Sequence, residues 1–348
     1  MKTNLKNGLA VSVDWLSFTV TSTSDIVDAL DLFGYVIDDF AKLPKGARGY
    51  RTMYRANSSG IYVLCDGNAN MGVHIDVSGS AVSDFLERFH SSLEVFCPFE
   101  GSKCYDLDPD TSAMMALLSR IMDNGHLTRL DIAIDDVGCR YFTTDDIVTL
   151  YDNRQIVTKF RNMRNVVEFE NPGTKTGHTV YFGSRSSDIF LRAYDKRLER
   201  NAHRSDHEPA IKFPWVRWEL ELKDDRAMSA AKMLVSGMNV GVVAVGVLGH
   251  YMRMINLDDT NRSRCSMYLR WADFIDGISS KRLTVFKAPT TLAEKRSWIN
   301  RQVMPTLAAI VMADGGSLEF VEDNLSSGAD RMNSTLCHMV QSELSKYA

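Results

Sequence analysis

Apolar and polar positions alternate with period two through much of residues 11–223, the mark of strands buried on one face. VSVDWLSFTV (11–20) is β-branched and aromatic and reads as a strand. MYRANSSGIYVLCDG predicts a hairpin-like pair around Ser58, Ser59 and Gly60, and GVHIDVSGSA a strand ending at a Gly/Ser turn. LTRLDIAIDD (127–136), VVEFEN, HTVYFG, DIFLRAYDK and WVRWELELKDD (215–225) add further strands, with a Pro-Gly turn at 172 and 173. Helical spacing takes over in DIVDALDLFGYVIDDF, through Ile26, Leu30, Phe33 and Ile37. It returns in SAVSDFLERFHSSL with Ser80 as a candidate N-cap, in TSAMMALLSRIMDNG and in DDIVTLYDN.

Strands joined partly by hairpins and partly by helices predict an α+β class with an antiparallel or mixed sheet. Strand, helix and acidic strand recur at 72–136 and again at 178–223, which suggests an internal duplication in that frame. From Arg226 onward AMSAAKMLV, YLRWADFIDG and AEKRSWINRQVMPTLAAIVMADG are helical in pattern. The expected organisation is therefore a sheet domain over 1–226 and a mainly helical C-terminal region over 227–348. MLVSGMNVGVVAVGVLG (233–249) is the most apolar stretch, but it is shorter than the ~20 residues a span needs and contains Asn239. It predicts a buried helix, bent or closely packed at its glycines.

Hydrophobic residues at 45% and charged residues at 24% exclude disorder and leave an ordinary globular composition. Six scattered cysteines without a CxxC pair, and an N-terminus without a long apolar run, suit a reducing cytoplasm and no membrane. A net charge of −4 excludes a uniformly basic nucleic-acid surface. Local clusters remain: Arg192, Lys196, Arg197, Arg200 and Arg204 form one, Lys159, Arg161 and Arg164 another.

Strand periodicity gives three segments one polar face each. In TRLDIAID that face holds Arg129, Asp131, Ala133 and Asp135; in VRWELEL, Arg217, Glu219 and Glu221; in LRAYDK, Arg192, Tyr194 and Lys196. A single such strand is the ordinary solvated face of an antiparallel sheet. Three on one side would gather carboxylates, a phenol and guanidinium groups. Carboxylates are the hard ligands that Mg²⁺ or Mn²⁺ prefers, and an ion held by Asp131 and Glu219 would polarise a phosphate. Asp135 and Glu221 are candidates for further ligands or a base. Asp131 and Asp135 lie roughly 13 Å apart along a strand, so they do not grip one ion together. Cations and a metal beside Tyr194 would favour the phenolate, and the arginines would clamp phosphate. Attack by this tyrosine on DNA phosphorus would give a phosphotyrosine and a free 3′-hydroxyl. No His-hydrophobe-His triplet, P-loop or GxGxxG competes with this reading.

DWLSFTV, HIDVSG, LTRLDIAIDD, YFGSRSSDIFLRAYDKRLE and WVRWELELKDDRA resemble the replication initiation factor family, the initiators of rolling-circle plasmids and related relaxases of conjugative elements. The resemblance covers most of residues 10–226 and extends more loosely through GVLGHYMRM, RWADFIDG and the EKRSWINRQVMPTLA helix. It implies a curved antiparallel sheet with helices packed on one side, similar to the TATA-binding-protein arrangement. It implies Tyr194 as nicking nucleophile with Arg192 and Lys196 beside it, and metal at Asp131 and Glu219, with Asp135 and Glu221 as further acidic positions. Arg129, Arg217, Arg197 and Arg200 would contact DNA. The implied partners are an origin with a melted or hairpin nick site and a host helicase and polymerase; a homodimer is one arrangement it allows. A relaxase acting on a transfer origin, an origin-binding protein without cleavage and a phosphodiesterase using water are the alternative readings.

Overall fold

The computed structural model describes residues 8–56, 60–96, 109–204, 209–279, 296, 299, 303–330 and 340. Two compact units divide the chain: Met1–Arg204 with Ala210–Phe286, and Ser205–Pro209 with Lys287–Ala348. In the second unit the described helices are Met304–Ala313 and Glu319–Asp330.

The first unit is built on one antiparallel sheet. Its N-terminal half contains β1 (Gly8–Val20), α1 (Ile26–Asp31), β2 (Phe40–Lys42), β3 (Thr52–Ala56), β4 (Ile61–Cys65), β5 (Val73–Ser78) and α2 (Ala81–Phe96). Helix α3 (Pro109–Asn124) leads into the second half. That half runs through β6 (Gly125–Val137), α4 (Thr144–Asp152), β7 (Ile156–Thr158), β8 (Met163–Glu170), β9 (Thr174–Phe182), β10 (Ile189–Asp195), α5 (Lys196–Ala202), β11 (Trp215–Lys223) and α6 (Asp224–Val235). Then follow α7 (Val240–Tyr251), β12 (Met252–Met254), which pairs with β7 in a separate ladder, and α8 (Leu269–Ser279).

Strand order across the sheet is β2-β3-β4-β5-β1-β6-β11-β10-β9-β8. Outward from the centre, β1, β5, β4, β3, β2 on one side answer β6, β11, β10, β9, β8 on the other. The register makes the symmetry residue-specific. Leu16 pairs with Leu130 at the centre; Val13 with Ile132 mirrors Leu127 with Phe18, and Trp15 with Asp131 mirrors Arg129 with Ser17. Even the two register shifts are exchanged by this pseudo-two-fold. The duplication suggested by sequence is therefore present, but its repeats start at β1 and β6, not at residues 72 and 178. The two halves share strand order and register while their polar faces carry different residue types, so residue patterns alone set the wrong frame.

Apolar side chains of the sheet face the helices. Phe18 packs with Phe33 and with Phe85 of α2, at centroid separations of 5.0 and 6.2 Å. Trp218 packs with Trp271 and Phe274 of α8 at 6.0 and 5.4 Å. Each such fully buried aromatic contributes roughly 1.5–3 kcal/mol by leaving water. Helix α6 buries Ala227, Ala230, Ala231 and Leu234. It packs against β6 and β11, so the boundary expected near 226 falls inside an element of the sheet unit.

The apolar stretch 233–249 is two helices rather than one. Helix α6 closes at Ser236, Gly237 adopts φ +90°, and the Asn239 side chain accepts the Gly241 N–H at 2.7 Å to cap α7. The helix expected through Ile37 likewise ends early, at Leu32, with Gly34 in the left-handed region. A Cβ at Gly34 would sit 2.7 Å from Ser92 Cβ, so the turn needs glycine for space as well as φ. Among the described residues no helix is long and apolar enough to cross a membrane.

Candidate active site

Pairing places the three polar rows on one face. Tyr194 lies opposite Arg217 and Arg217 opposite Asp135; Arg192 opposite Glu219 and Glu219 opposite Ala133; Phe190 opposite Glu221 and Glu221 opposite Asp131. Directly opposed residues share a face, so phenol, guanidinium groups and carboxylates converge as alternation predicts.

Tyr194 is half-buried, and its Oη donates to Glu219 Oε2 at 3.2 Å. The other oxygen of Glu219 accepts from Arg192. Burial pushes the Tyr194 phenol well above its ordinary value, and the Glu219 charge pushes the same way against Arg217. The expected drift toward phenolate is thus reversed in the free protein. Its flanking cations are engaged elsewhere: Arg192 with Glu219, and Lys196 with Glu199 at 2.8 Å. Both still lie near the ring, 5.9 and 5.5 Å from its centroid.

Lys196 reaches this place by a route alternation does not give. Strand β10 stops at Asp195, whose side chain accepts the Leu198 N–H at 2.9 Å and caps α5. Lys196 is therefore the first residue of a helix, not the next member of the strand face. Arg197 turns to Asp195 at 3.3 Å, and Arg200 is exposed in the last turn of α5.

Asp131 and Glu219 are almost fully buried, at 0% and 1% exposure, and they share a hydrogen bond. Burial, with help from Glu219 and Glu221, pushes Asp131 up to about 8 against the pull of Arg129. At Glu219, burial alone would raise the pKa, but Arg192 and Arg217 outweigh it and hold the group low. The surroundings therefore favour the protonated form at Asp131 and the ionised form at Glu219. Arg129 donates to both Asp131 oxygens at 2.8 and 2.5 Å and reaches Glu221 at 2.9 Å, while Lys223 holds Glu221 at 2.8 Å. Among the described residues no group of three His, Cys, Asp or Glu side chains is arranged as a complete metal site.

Asp135 and Arg217 are bonded to each other. Arg217 Nε and Nη2 each donate to Asp135 at 2.8 Å, its Nη1 donates to Asp14 at 2.6 Å, and Trp215 Nε1 also donates to Asp135 at 2.6 Å. With Asp135 at 0% and Arg217 at 6% exposure, the pair is buried and each group is bonded inside the protein. Replacing Asp135 by alanine leaves Arg217 buried with only Asp14. This should destabilise the fold by about 3–5 kcal/mol in urea unfolding. A loss under about 1 kcal/mol would show that the pair is dispensable. Asp14, Trp215 and Glu199 escaped the sequence reading; Asp14 sits at a strand bulge, where alternation fails. The second aspartate of LDIAIDD, Asp136, is also structural, accepting the N–H groups of Arg140, Tyr141 and Phe142.

The replication initiation factor family model matches residues 125–327. The chain belongs to that family. The match begins at the first residue of β6 and so takes in Asp131, Tyr194 and Glu219 together. The putative DNA relaxase NicK of Bacillus subtilis (strain 168) is 25% identical over 313 residues, covering 89% of this chain and 83% of that protein. The solved structure of a rolling circle replication initiator protein from Geobacillus stearothermophilus aligns with a TM-score of 0.65 and 24% identity. It covers 80% of this chain and 99% of that one, a likeness of fold.

Proposed function

We propose that this chain nicks and rejoins one DNA strand at a replication origin through a covalent bond between Tyr194 and the 5′ phosphate. The observation that carries this reading is the phenol of Tyr194, bonded to Glu219 and set between Arg192 and Lys196, in the half of the sheet that the family match covers. Tyr194 Oη attacks phosphorus, its proton passes to Glu219, and the 3′ oxygen leaves with the bonding pair and takes a proton from water. Arg192 is the switch. When a scissile phosphate draws Arg192 away, Glu219 loses one of the two cations that hold its pKa down and becomes a better base. Attack by the 3′-hydroxyl on the phosphotyrosine reverses the reaction and rejoins the strand. The free 3′-hydroxyl would prime a host polymerase behind a host helicase. Incubation with supercoiled DNA carrying the sequences that flank its gene tests the reading, which expects a protein–DNA adduct on denaturing electrophoresis.

Asp131 and Glu219 would hold Mg²⁺ or Mn²⁺, Glu219 keeping the oxygen that accepts from Tyr194 free for the proton, with the remaining ligands from water and phosphate oxygens. Two buried, hydrogen-bonded carboxyl groups, with the protonated form favoured at Asp131, fit a hard cation that replaces that proton. The ion would supply charge stabilisation at the scissile phosphate. The sign of the pH effect follows from Asp131, raised from about 3.9 in the unfolded chain to about 8. Its contribution to stability is full below the unfolded value and is lost as pH climbs from about 4 to about 8. Mn²⁺ should therefore raise the unfolding temperature more at pH 8 than at pH 6, and Asp131→Asn should remove both the slope and the Mn²⁺ effect. An equal rise at both pH values, kept in Asp131→Asn, would place the ion elsewhere.

The similarity to NicK along most of both chains favours a second reading, the same chemistry at a transfer origin. Genes beside the coding sequence separate the two: a conjugation cluster favours transfer, a small replicon favours replication.

A further inference from the structure

The pseudo-two-fold that relates β1–β5 to β6–β11 gives the acidic site a counterpart in the N-terminal half. Through the register, Ser17 occupies the position of Asp131, His74 that of Glu219 and Asp76 that of Glu221. The counterpart lacks the paired carboxyl groups. Asp76 is tied up by Ser17 at 2.5 Å and Arg48 at 2.7 Å; although burial alone would raise its pKa, these bonds and His74 hold it down at about 2.

A pocket of about 340 Å³ opens here, lined by Trp15, Tyr50, His74, Arg48, Arg129 and Lys223, with Ser17 and Thr128 between them. Its aromatic groups are fixed before anything binds. Trp15 Nε1 donates to Ser17 at 2.7 Å while the Arg129 guanidinium lies 4.1 Å from the Trp15 ring centroid. Tyr50 Oη donates to Met71 O at 2.8 Å, and the Tyr50 ring stacks on His74 at 6.2 Å. Thr128, at the β6 bulge, has an Oγ1 without a hydrogen-bond partner in the protein. Aromatic faces interleaved with cations are what single-stranded nucleic acid requires: stacking for the base, charge for the backbone.

We propose that this pocket binds a base of the single strand at a distance from the nick. The inference rests on the nicking reading above and adds a second contact to it. Arg129 borders both sites, holding Asp131 on one side and lining the pocket on the other. It stands six residues along β6 from Asp135, which is at the level of Tyr194. At about 3.3 Å per residue that is roughly 20 Å, several nucleotides of an extended strand. The N-terminal half then acts as a ruler: a base seated at Trp15 sets which phosphate meets Tyr194.

The test is equilibrium binding of a fluorescent fifteen-residue oligothymidylate and of an abasic oligomer of the same length, both by the Tyr194→Phe protein, so that no covalent chemistry intervenes. Trp15→Ala in that background should weaken oligothymidylate binding about tenfold, leave abasic binding unchanged, and be rescued by Trp15→Phe. Unchanged oligothymidylate affinity in Trp15→Ala would overturn the pocket, and so would an equal loss for both oligomers, which marks damage to the fold or to backbone contacts. Nicking by the Tyr194→Phe protein would overturn the nucleophile assignment instead, and the binding comparison would still decide the pocket.

Discussion

Tyr194→Phe is expected to abolish the covalent DNA adduct and to lower nicking by about 10⁴-fold or more, the scale on which covalent mechanisms fail without their nucleophile. The substitution removes one oxygen and one hydrogen bond, the 3.2 Å contact to Glu219, and Glu219 keeps Arg192 as its partner. Fold stability should therefore change by about 1 kcal/mol or less. Supercoiled DNA from the protein's own locus, followed on denaturing gels, separates the outcomes. Full nicking without an adduct would point to attack by water and remove Tyr194 from the chemistry.

Glu219→Gln is the second large effect. The amide keeps the shape but neither takes the phenol proton nor carries the charge that pairs with Arg192. Nicking should fall by about 10²–10³-fold, as expected for loss of a positioned base. A separate consequence reaches Asp131. The Glu219 charge helps hold the Asp131 pKa high, so the variant should lose less stability between pH 4 and pH 8 than the parent protein. Urea titrations across that range, beside single-turnover nicking, check both. Parental nicking rates in Glu219→Gln would assign the proton to another group.

Alternation made much of this site legible. Asp131, Glu219, Arg192 and Tyr194 fall on one face because strands have period two and their registers align without interruption between β6, β11 and β10. What alternation cannot give is which charges neutralise one another. Asp135 and Asp131 look equivalent in LDIAIDD, yet one is locked to Arg217 and Trp215 while the other is hydrogen-bonded to Glu219. That difference depends on residues from β1 and β11, distant in sequence. Bulges hid more: the extra residues at Asp14 and Thr128 break the period that would have placed Trp15 beside Arg129. Alternation puts Lys196 on the Tyr194 face as a strand residue, whereas a cap at Asp195 turns strand into helix there and brings Lys196 to the ring from the helix. The break at 236–239 was masked because its flanks are both apolar and helical in pattern.

The central claim is that one tyrosine holds the 5′ end of the cut strand. Its most direct test is mass spectrometry of the trapped adduct after digestion of protein and DNA. The account predicts a single modified peptide containing Tyr194, carrying a nucleotide through its 5′ phosphate and lost in Tyr194→Phe. A modified peptide from elsewhere in the chain, or nicked DNA with a free 5′ phosphate and no modified peptide, would contradict it.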